Sequence, residues 1–253
     1  MYAIERRQWL IEQARTAGRV DVSMMSAELG LAPETIRRDL KDLARAGLLR
    51  RVYGGAVPIE RPAFESPLSM RETRRQVEKK RIAEAAASFV NVAESIYLDE
   101  GNLPQLIAEH LHPERPMTVV TSSLAIATSL VGREHLEVIV TGGRVRAQTL
   151  GTIDHWATSM LETVVLDLAF MGGNGISIQH GVTVPDSAIA AVKMMAMRVS
   201  RRRILVGDSS KYGSDSFVRF AQLSEFERFI TDDALPVEQA AELHLQGLEV
   251  LRV

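Results

Sequence analysis

Residues 29–58 read LGLAPETIRRDLKDLARAGLLRRVYGGAVP, and the signals in that stretch set the architecture of the N-terminal region. Gly30 tolerates a left-handed turn and closes a short helix predicted over residues 22–29 (VSMMSAEL). Pro33 suits the first turn of the next helix, where its missing N–H has no helical partner anyway. Ile36, Leu40 and Leu43 recur at i, i+4 and i+7 and mark a buried stripe. Gly47 ends this helix, and LLRRVYGGAVP (48–58) carries a Gly-Gly turn that fits a small β-wing. Upstream, residues 4–16 put Ile4, Trp9, Leu10 and Ile11 near one helical face, with Gly18 as a stop.

Two helices joined by a tight turn form the arrangement in which the second can enter a DNA major groove. With Ile36, Leu40 and Leu43 inward, Thr35, Arg37, Arg38, Lys41 and Arg45 face largely outward, and the basic ones form a ridge. An arginine near the start of such a helix can pair bidentately with a guanine edge, whereas Lys and Thr suit phosphates. Arg50 and Arg51 on the wing reach the adjacent backbone. A lone helix with this pattern is more often a solvated charged face. The turn length, the flanking helix and the Gly-rich wing together favour double-stranded DNA.

The rest of the composition is that of an ordinary folded protein: 253 residues, 46% hydrophobic and 25% charged, enough for two domains or one large one. The absence of cysteine excludes disulfides, thiolate catalysis and thiolate metal ligation. No apolar run approaches the ~20 residues that cross a bilayer, and the opening MYAIERRQWLIEQ lacks a signal-peptide core. The expectation is a cytoplasmic protein with no membrane partner. Residues 1–58 carry ten Lys/Arg against seven Asp/Glu, and the remainder 20 against 25, so a basic head sits on an acidic body.

Pro58, Pro62 and Pro67 mark the best linker candidate, giving a DNA-binding domain at 1–58, a linker at 59–75 and a second domain at 76–253. A long helix is expected over about 68–90, with Ile82, Ala85, Ala86 and Phe89 on one stripe. Afterwards β-rich runs alternate with helical stretches: SIYL (95–98), MTVVT (117–121), LEVIVT (136–141), LDLAFM (166–171), RILVG (203–207), RFIT (228–231) and LEVLRV (248–253). That alternation predicts an α/β fold with a mostly parallel sheet covered by helices.

Ligands of open parallel sheets bind at the carboxyl ends of strands. The expected strands end in small polar loops: Asp99–Asn102 with Gly101, Thr121-Ser122-Ser123, Gly142-Gly143 through Arg146, Gly172 through Asn174-Gly175, and Asp208 through Lys211. Glycines let backbone N–H groups approach an oxyanion, Ser and Thr add donors, and Arg and Lys supply charge. One such loop is usually just a turn. Five at equivalent ends of one sheet point to a ligand site.

Residues 29–58 resemble the helix-turn-helix signature of the DeoR family of bacterial regulators, in which TIRRDL lies on the recognition helix and R-x-x-GGA closes the wing. Ala32 departs from the usual capping residue, a loss of about 1 kcal/mol that Pro33 partly offsets. GGRVR (142–146), DLAFMGGNGI (167–176), GVTVPD (181–186), AAVK (190–193) and DSSKYG (208–213) resemble the family's sensor domain, so the likeness covers about residues 4–233. That domain is similar in fold to ribose-5-phosphate isomerase, sugar-phosphate deaminases and CoA transferases. The resemblance implies a repressor of a carbohydrate-catabolism operon, working as a homo-oligomer (dimer or tetramer), released from operator DNA by a small sugar-phosphate metabolite and needing no cofactor. It implies ligand roles for Arg146, Asn174, Gly175, Asp186, Lys193 and Lys211. The first loop departs from the family's D-x-G-T-T or D-x-G-S-T: Asp99-Glu100-Gly101-Asn102-Leu103-Pro104 lacks both hydroxyls, and Pro104 removes an N–H. The second loop, commonly T-N-S, is Thr121-Ser122-Ser123, and Ile189 stands where Glu is frequent. An unphosphorylated or differently anchored ligand is therefore an alternative.

Other readings stay open. An isomerase-like enzyme carrying a DNA-binding head would need an acid and a base in one cleft, and Asp99, Glu100 and Asp208 are available. A DNA-binding scaffold with no effector is a further alternative. His110-x-His112 lacks a ligand set for a metal, no nucleophile elbow is present, and Tyr97, Trp156, Met194, Met195 and Met197 are expected to pack cores or interfaces.

Overall fold

In the computed structural model, which describes residues 3–45, 49–58 and 75–253, the first helix, α1, spans Ala3–Ala17. The chain divides into two compact units, Met1–Arg61 and Pro62–Val253. In the first, a short strand β1 (Val20–Asp21) leads into α2 (Val22–Leu29), whose N-terminus is capped by Asp21 Oδ1 accepting from Ser23 N at 2.9 Å. Gly30 closes α2 at φ +64°, and α3 follows over Pro33–Arg45. Strands β2 (Leu49–Val52) and β3 (Gly55–Pro58) form the wing, with β1 pairing antiparallel to β3 in the order β1-β3-β2. Leu10, Ile11, Ala14, Met25, Ile36, Leu40, Leu43 and Leu49 are buried together, and Trp9 packs at their margin. The side chain of Ile4, the helix stop at Gly47 and, apart from Arg75, the linker at 59–75 lie outside the described residues.

The Gly-Gly turn of the wing is fixed by two separate demands. Gly54 has φ +76°, which favours glycine. At Gly55 a Cβ would stand 2.0 Å from the Val20 carbonyl oxygen, so only glycine lets β3 approach β1.

The second unit is built on a seven-stranded sheet. Its strands are β4 (Ser95–Leu98), β5 (Met117–Thr121), β6 (Leu136–Val140), β9 (Leu166–Gly172), β12 (Ser200–Val206), β14 (Arg228–Thr231) and β15 (Glu249–Arg252). All pair in parallel, in the order β15-β14-β12-β9-β4-β5-β6. These are the seven β-rich runs read from the sequence. The chain winds outward from β4 through β5 to β6, then returns to the other side of β4 and winds through β9, β12 and β14 to β15. The winding direction reverses between β4 and β9, which makes that boundary the topological switch point.

Helices cover both faces of the sheet, whose central strands bury apolar side chains on both sides. One face buries Leu98, Leu168, Phe170 and Ile204 beneath α4 (Gln76–Ala87), α5 (Asn102–Glu109) and α6 (Leu124–Leu130). The other buries Tyr97, Ala169, Met171 and Phe229 beneath α7 (His155–Glu162), α8 (Ser187–Val199) and α9 (Val237–Leu245). A hairpin of β7 (Arg144–Val145) and β8 (Thr152–Ile153) and a small antiparallel sheet of β10 (Gly175–Ser177), β11 (Gly181–Val184) and β13 (Val218–Ala221) complete the unit.

Helix α4 corrects the expected stripe. Ile82, Ala83 and Ala86 are buried, while Ala85 and Phe89 are only half-buried. The α-helix stops at Ala87 and Ser88–Val90 tighten into a 3-10 turn, which rotates Phe89 out beside Arg228, whose guanidinium lies 4.7 Å from the ring centre. The same helix buries Lys79.

Candidate functional site

The outward face of α3 presents Arg37, Arg38, Lys41 and Arg45, all exposed, with Thr35 half-buried beside them. On the wing, Arg50 and Arg51 are exposed, and Arg51 Nη1 donates to the Arg37 carbonyl at 3.4 Å, tying the wing to the helix. Arg37 also pairs with Glu34 at 3.1 Å across one turn. The inward side of α3 holds Asp39, 2% exposed, which accepts from Arg6 Nε at 2.5 Å and Arg7 Nε at 2.9 Å on α1. Arg7 Nη2 adds a bond to Asp42 at 2.6 Å. Burial alone would raise the Asp39 carboxyl, but the hydrogen bonds and charges of Arg6 and Arg7 outweigh it and hold the group below the ordinary carboxylate range. Arg6 and Arg7, counted in the basic excess of the head, therefore brace α3 against α1. The spacing in the sequence shows no sign of this, since partners 33 and 32 residues apart meet only in the fold.

In the second unit, charged side chains converge at the carboxyl ends of β4, β9 and β12, at the switch point. A cleft of about 80 Å³ there is lined by Lys79 of α4, by Glu100 to Pro104 after β4, by Gly172 to Asn174 after β9, by Lys193 of α8, and by Val206 to Asp208 and Lys211 after β12. Beneath it lies a buried ion pair. Lys193 Nζ, on a residue 4% exposed, bonds Asp99 Oδ2, which also accepts from Gly172 N at 2.9 Å. Two buried acceptor oxygens at this end, Asp99 Oδ1 and Asn102 Oδ1, have no hydrogen-bond partner among the described residues. Such atoms are costly unless something supplies a donor. Asp208 is buried too; burial would raise its carboxyl, but Lys211, a hydrogen bond from Ser210, Lys79 and Arg75 together hold it low.

Of the residues expected here, the cleft gathers Gly101, Asn174, Lys193, Asp208 and Lys211, with Asp99 directly behind. The others have different surroundings. Thr121 Oγ1 donates to the Leu98 carbonyl at 2.7 Å, Ser122 Oγ accepts from Tyr97 at 2.9 Å, and Ser123 caps α6. Gly142 N faces Met160 Sδ, and Gly143 has φ +123° with the Ile153 carbonyl where a Cβ would be. Gly175 packs against the Ser214 carbonyl. Asp186, exposed, caps α8 by accepting from Ala188 N at 2.7 Å. Arg146 pairs with Glu100 at 3.3 Å. Lys79, Glu100 and Asn102 line the cleft without having been singled out as ligands. Lys79 stands three positions before Ile82, on the same face of α4, and a lysine on an apolar stripe is the signal that could have found it.

A larger cavity, about 1210 Å³, lies at the opposite, amino ends of β4 to β6, lined by residues such as Glu84, Glu94, His110, Arg115 and His135. Among the described residues no orphaned buried polar atom points to a ligand there. The chemistry selects the smaller cleft. His110 Nδ1 contacts the Leu106 carbonyl at 2.8 Å. Among the described residues no group of three His, Asp or Glu side chains is arranged to hold a metal, and no helix is long and apolar enough to cross a membrane.

A winged helix-turn-helix joined in one chain to an α/β unit with a charged cleft at its switch point defines a DNA-binding transcription regulator with a sensor domain. Comparison with known families makes the class specific: residues 6–61 match the DeoR-like helix-turn-helix domain and residues 74–233 the DeoR C-terminal sensor domain. The chain belongs to the DeoR family of transcription regulators and is not an enzyme. It is 32% identical to the HTH-type transcriptional regulator GlpR of Haloferax volcanii, over 99% of this chain and 98% of that one. It is 28% identical to the glycerol-3-phosphate regulon repressor of Escherichia coli K12, over 94% of each. Among solved structures, ribose 5-phosphate isomerase A of Neisseria gonorrhoeae is a distant likeness, with a TM-score of 0.37 and 18% identity over 54% of this chain and 53% of that one.

Proposed function

We propose that the protein is a repressor of a carbohydrate-catabolism operon, working in the cytoplasm, and that a small anionic sugar metabolite, most simply a sugar phosphate, releases it from its operator. Thr35, Arg37, Arg38, Lys41 and Arg45 of α3 contact DNA at the major groove, Arg37 and Arg38 at base edges and Thr35 and Lys41 at phosphates, and Arg50 and Arg51 of the wing contact the adjacent backbone. Pseudo-palindromic operators demand matched heads, so the working form is a dimer or tetramer. The effector binds one conformation better than the other, and that difference in affinity shifts operator occupancy.

The observation that carries the effector reading is the cleft itself. Lys79, Lys193 and Lys211 meet there beside two buried acceptor oxygens, Asp99 Oδ1 and Asn102 Oδ1, that no described residue satisfies. Lysines suit an anion and the orphaned oxygens suit hydroxyl donors, and a phosphorylated or acidic sugar carries both. The name of one relative, the glycerol-3-phosphate regulon repressor, agrees with a phosphorylated effector. The test is titration of protein–operator complexes with a panel of sugar phosphates and sugar acids. Release by at least one, at a concentration that also raises the melting temperature of the second unit, is expected. No release and no shift across the panel would refute the reading.

A further inference from the structure

Beside the lysine cleft is a second set of anion donors, and the protein fills it with its own carboxylate. The turn between β7 and β8 closes on itself, with Arg146 N donating to the Gly151 carbonyl at 2.9 Å and Leu150 N to the Arg146 carbonyl at 2.8 Å. Leu150 adopts φ +55°, a left-handed conformation that disfavours a branched side chain. Inside the turn sits the Glu100 carboxylate, on a side chain 7% exposed. Arg146 Nη1 lies 3.3 Å from Oε1, and the buried Thr149 hydroxyl bonds Oε2. A Cβ on Gly151 would come within 1.8 Å of Oε2, so that position must be glycine for the carboxylate to lie there.

A guanidinium and a hydroxyl make up a donor pair suited to a phosphate or carboxylate, and Gly151 leaves the room for it. Glu100 reaches it from the loop after β4, the same loop whose Gly101 and Asn102 line the cleft. We propose that Glu100 is a specificity-determining residue: a built-in anion that occupies the Arg146–Thr149–Gly151 cradle and confines the effector's anionic group to Lys79, Lys193 and Lys211. This rests on the effector reading for the role of the lysines, but the filled cradle stands on its own geometry. An anion entering the cradle would have to displace a buried carboxylate from its charge partner, a cost that its own pairing with Arg146 must repay. Arg146 then acts on the effector only through Glu100.

The experiment is calorimetric titration of the full chain with inorganic phosphate, read as stoichiometry and affinity. Glu100→Ala opens the cradle, and Glu100→Gln, which keeps the size and one hydrogen bond of the side chain, covers the case in which Glu100→Ala fails to fold. Expected are one phosphate site in the wild type, lost with a tenfold or greater fall in affinity in Lys211→Ala, and a second site in at least one Glu100 variant. Adding Arg146→Ala to that variant should abolish the second site. If folded Glu100 variants bind no more phosphate than wild type, or if the added site survives loss of Arg146, the proposal is overturned. If wild type binds none but a Glu100 variant gains one Arg146-dependent site, the filled cradle holds and the phosphate-effector reading fails instead.

Discussion

Replacing Asp39 by alanine tests whether the recognition helix is held by charge from behind. Asp39 is 2% exposed and accepts two charge-assisted hydrogen bonds, from Arg6 at 2.5 Å and Arg7 at 2.9 Å. Bonds to charged groups contribute about 1.5–3 kcal/mol each when buried. Arg7 is more than a third exposed, so solvent screens its share and the Arg6 bond dominates. Asp39→Ala should therefore destabilise the N-terminal unit by about 2–3 kcal/mol. For a domain of this size each kcal/mol shifts the melting temperature by about 4–8 °C, so a fall of roughly 10–20 °C is expected in the head alone. Trp9, at the margin of the head core, reports that transition, and quenching of the exposed Trp156 isolates its signal. Removing one negative charge from a basic head would, by electrostatics alone, leave stability unchanged or tighten DNA binding. A head transition that moves by less than about 3 °C would refute the bracing argument. The pH dependence follows with a definite sign. Because the folded carboxyl is held below its ordinary value of 3.8, its contribution is fully present above about pH 4–5 and is lost as pH falls through the lowered folded value. Wild type should lose head stability on acidification in that range, and Asp39→Asn should lose less.

Three further outcomes are expected. Arg37→Ala and Arg38→Ala should each weaken operator binding by about 1–3 kcal/mol and relax specificity at one base pair, whereas Arg50→Ala and Arg51→Ala should weaken all DNA similarly and flatten the salt slope; operator titrations at several salt concentrations distinguish the two. Gly55→Ala puts a methyl 2.0 Å from the Val20 carbonyl and should separate β1 from β3, seen as lost amide protection in hydrogen exchange at Val22, whose N–H donates to the Gly54 carbonyl at 2.9 Å, with no change in the second unit. Lys211→Ala should still bind operator but need roughly 100-fold more effector for release; release at the wild-type concentration would place the anion elsewhere.

How much of this was legible in the sequence follows from the range of each interaction. The i, i+4, i+7 spacing of Ile36, Leu40 and Leu43, the turn at Gly30 and the Pro33 start are local rules, and α2 and α3 obey them because neighbours in sequence are neighbours on a helix. The parallel strands were readable for a similar reason: the central ones, buried on both faces, are nearly continuous apolar runs. That shared pattern is also why their order was not readable, since any of them could have stood beside any other. The order β15-β14-β12-β9-β4-β5-β6 puts the ends of β4, β9 and β12 side by side, and so joins Lys79, Lys193 and Lys211, drawn from three separate segments, in one cleft. The sequence alone determined the residue types able to bind DNA and an anion. Tertiary structure decided which charges meet: Asp39 with Arg6 and Arg7, Asp99 with Lys193, Glu100 with Arg146. Coulomb attraction depends on distance in space, and a linear chain does not contain that distance until it folds.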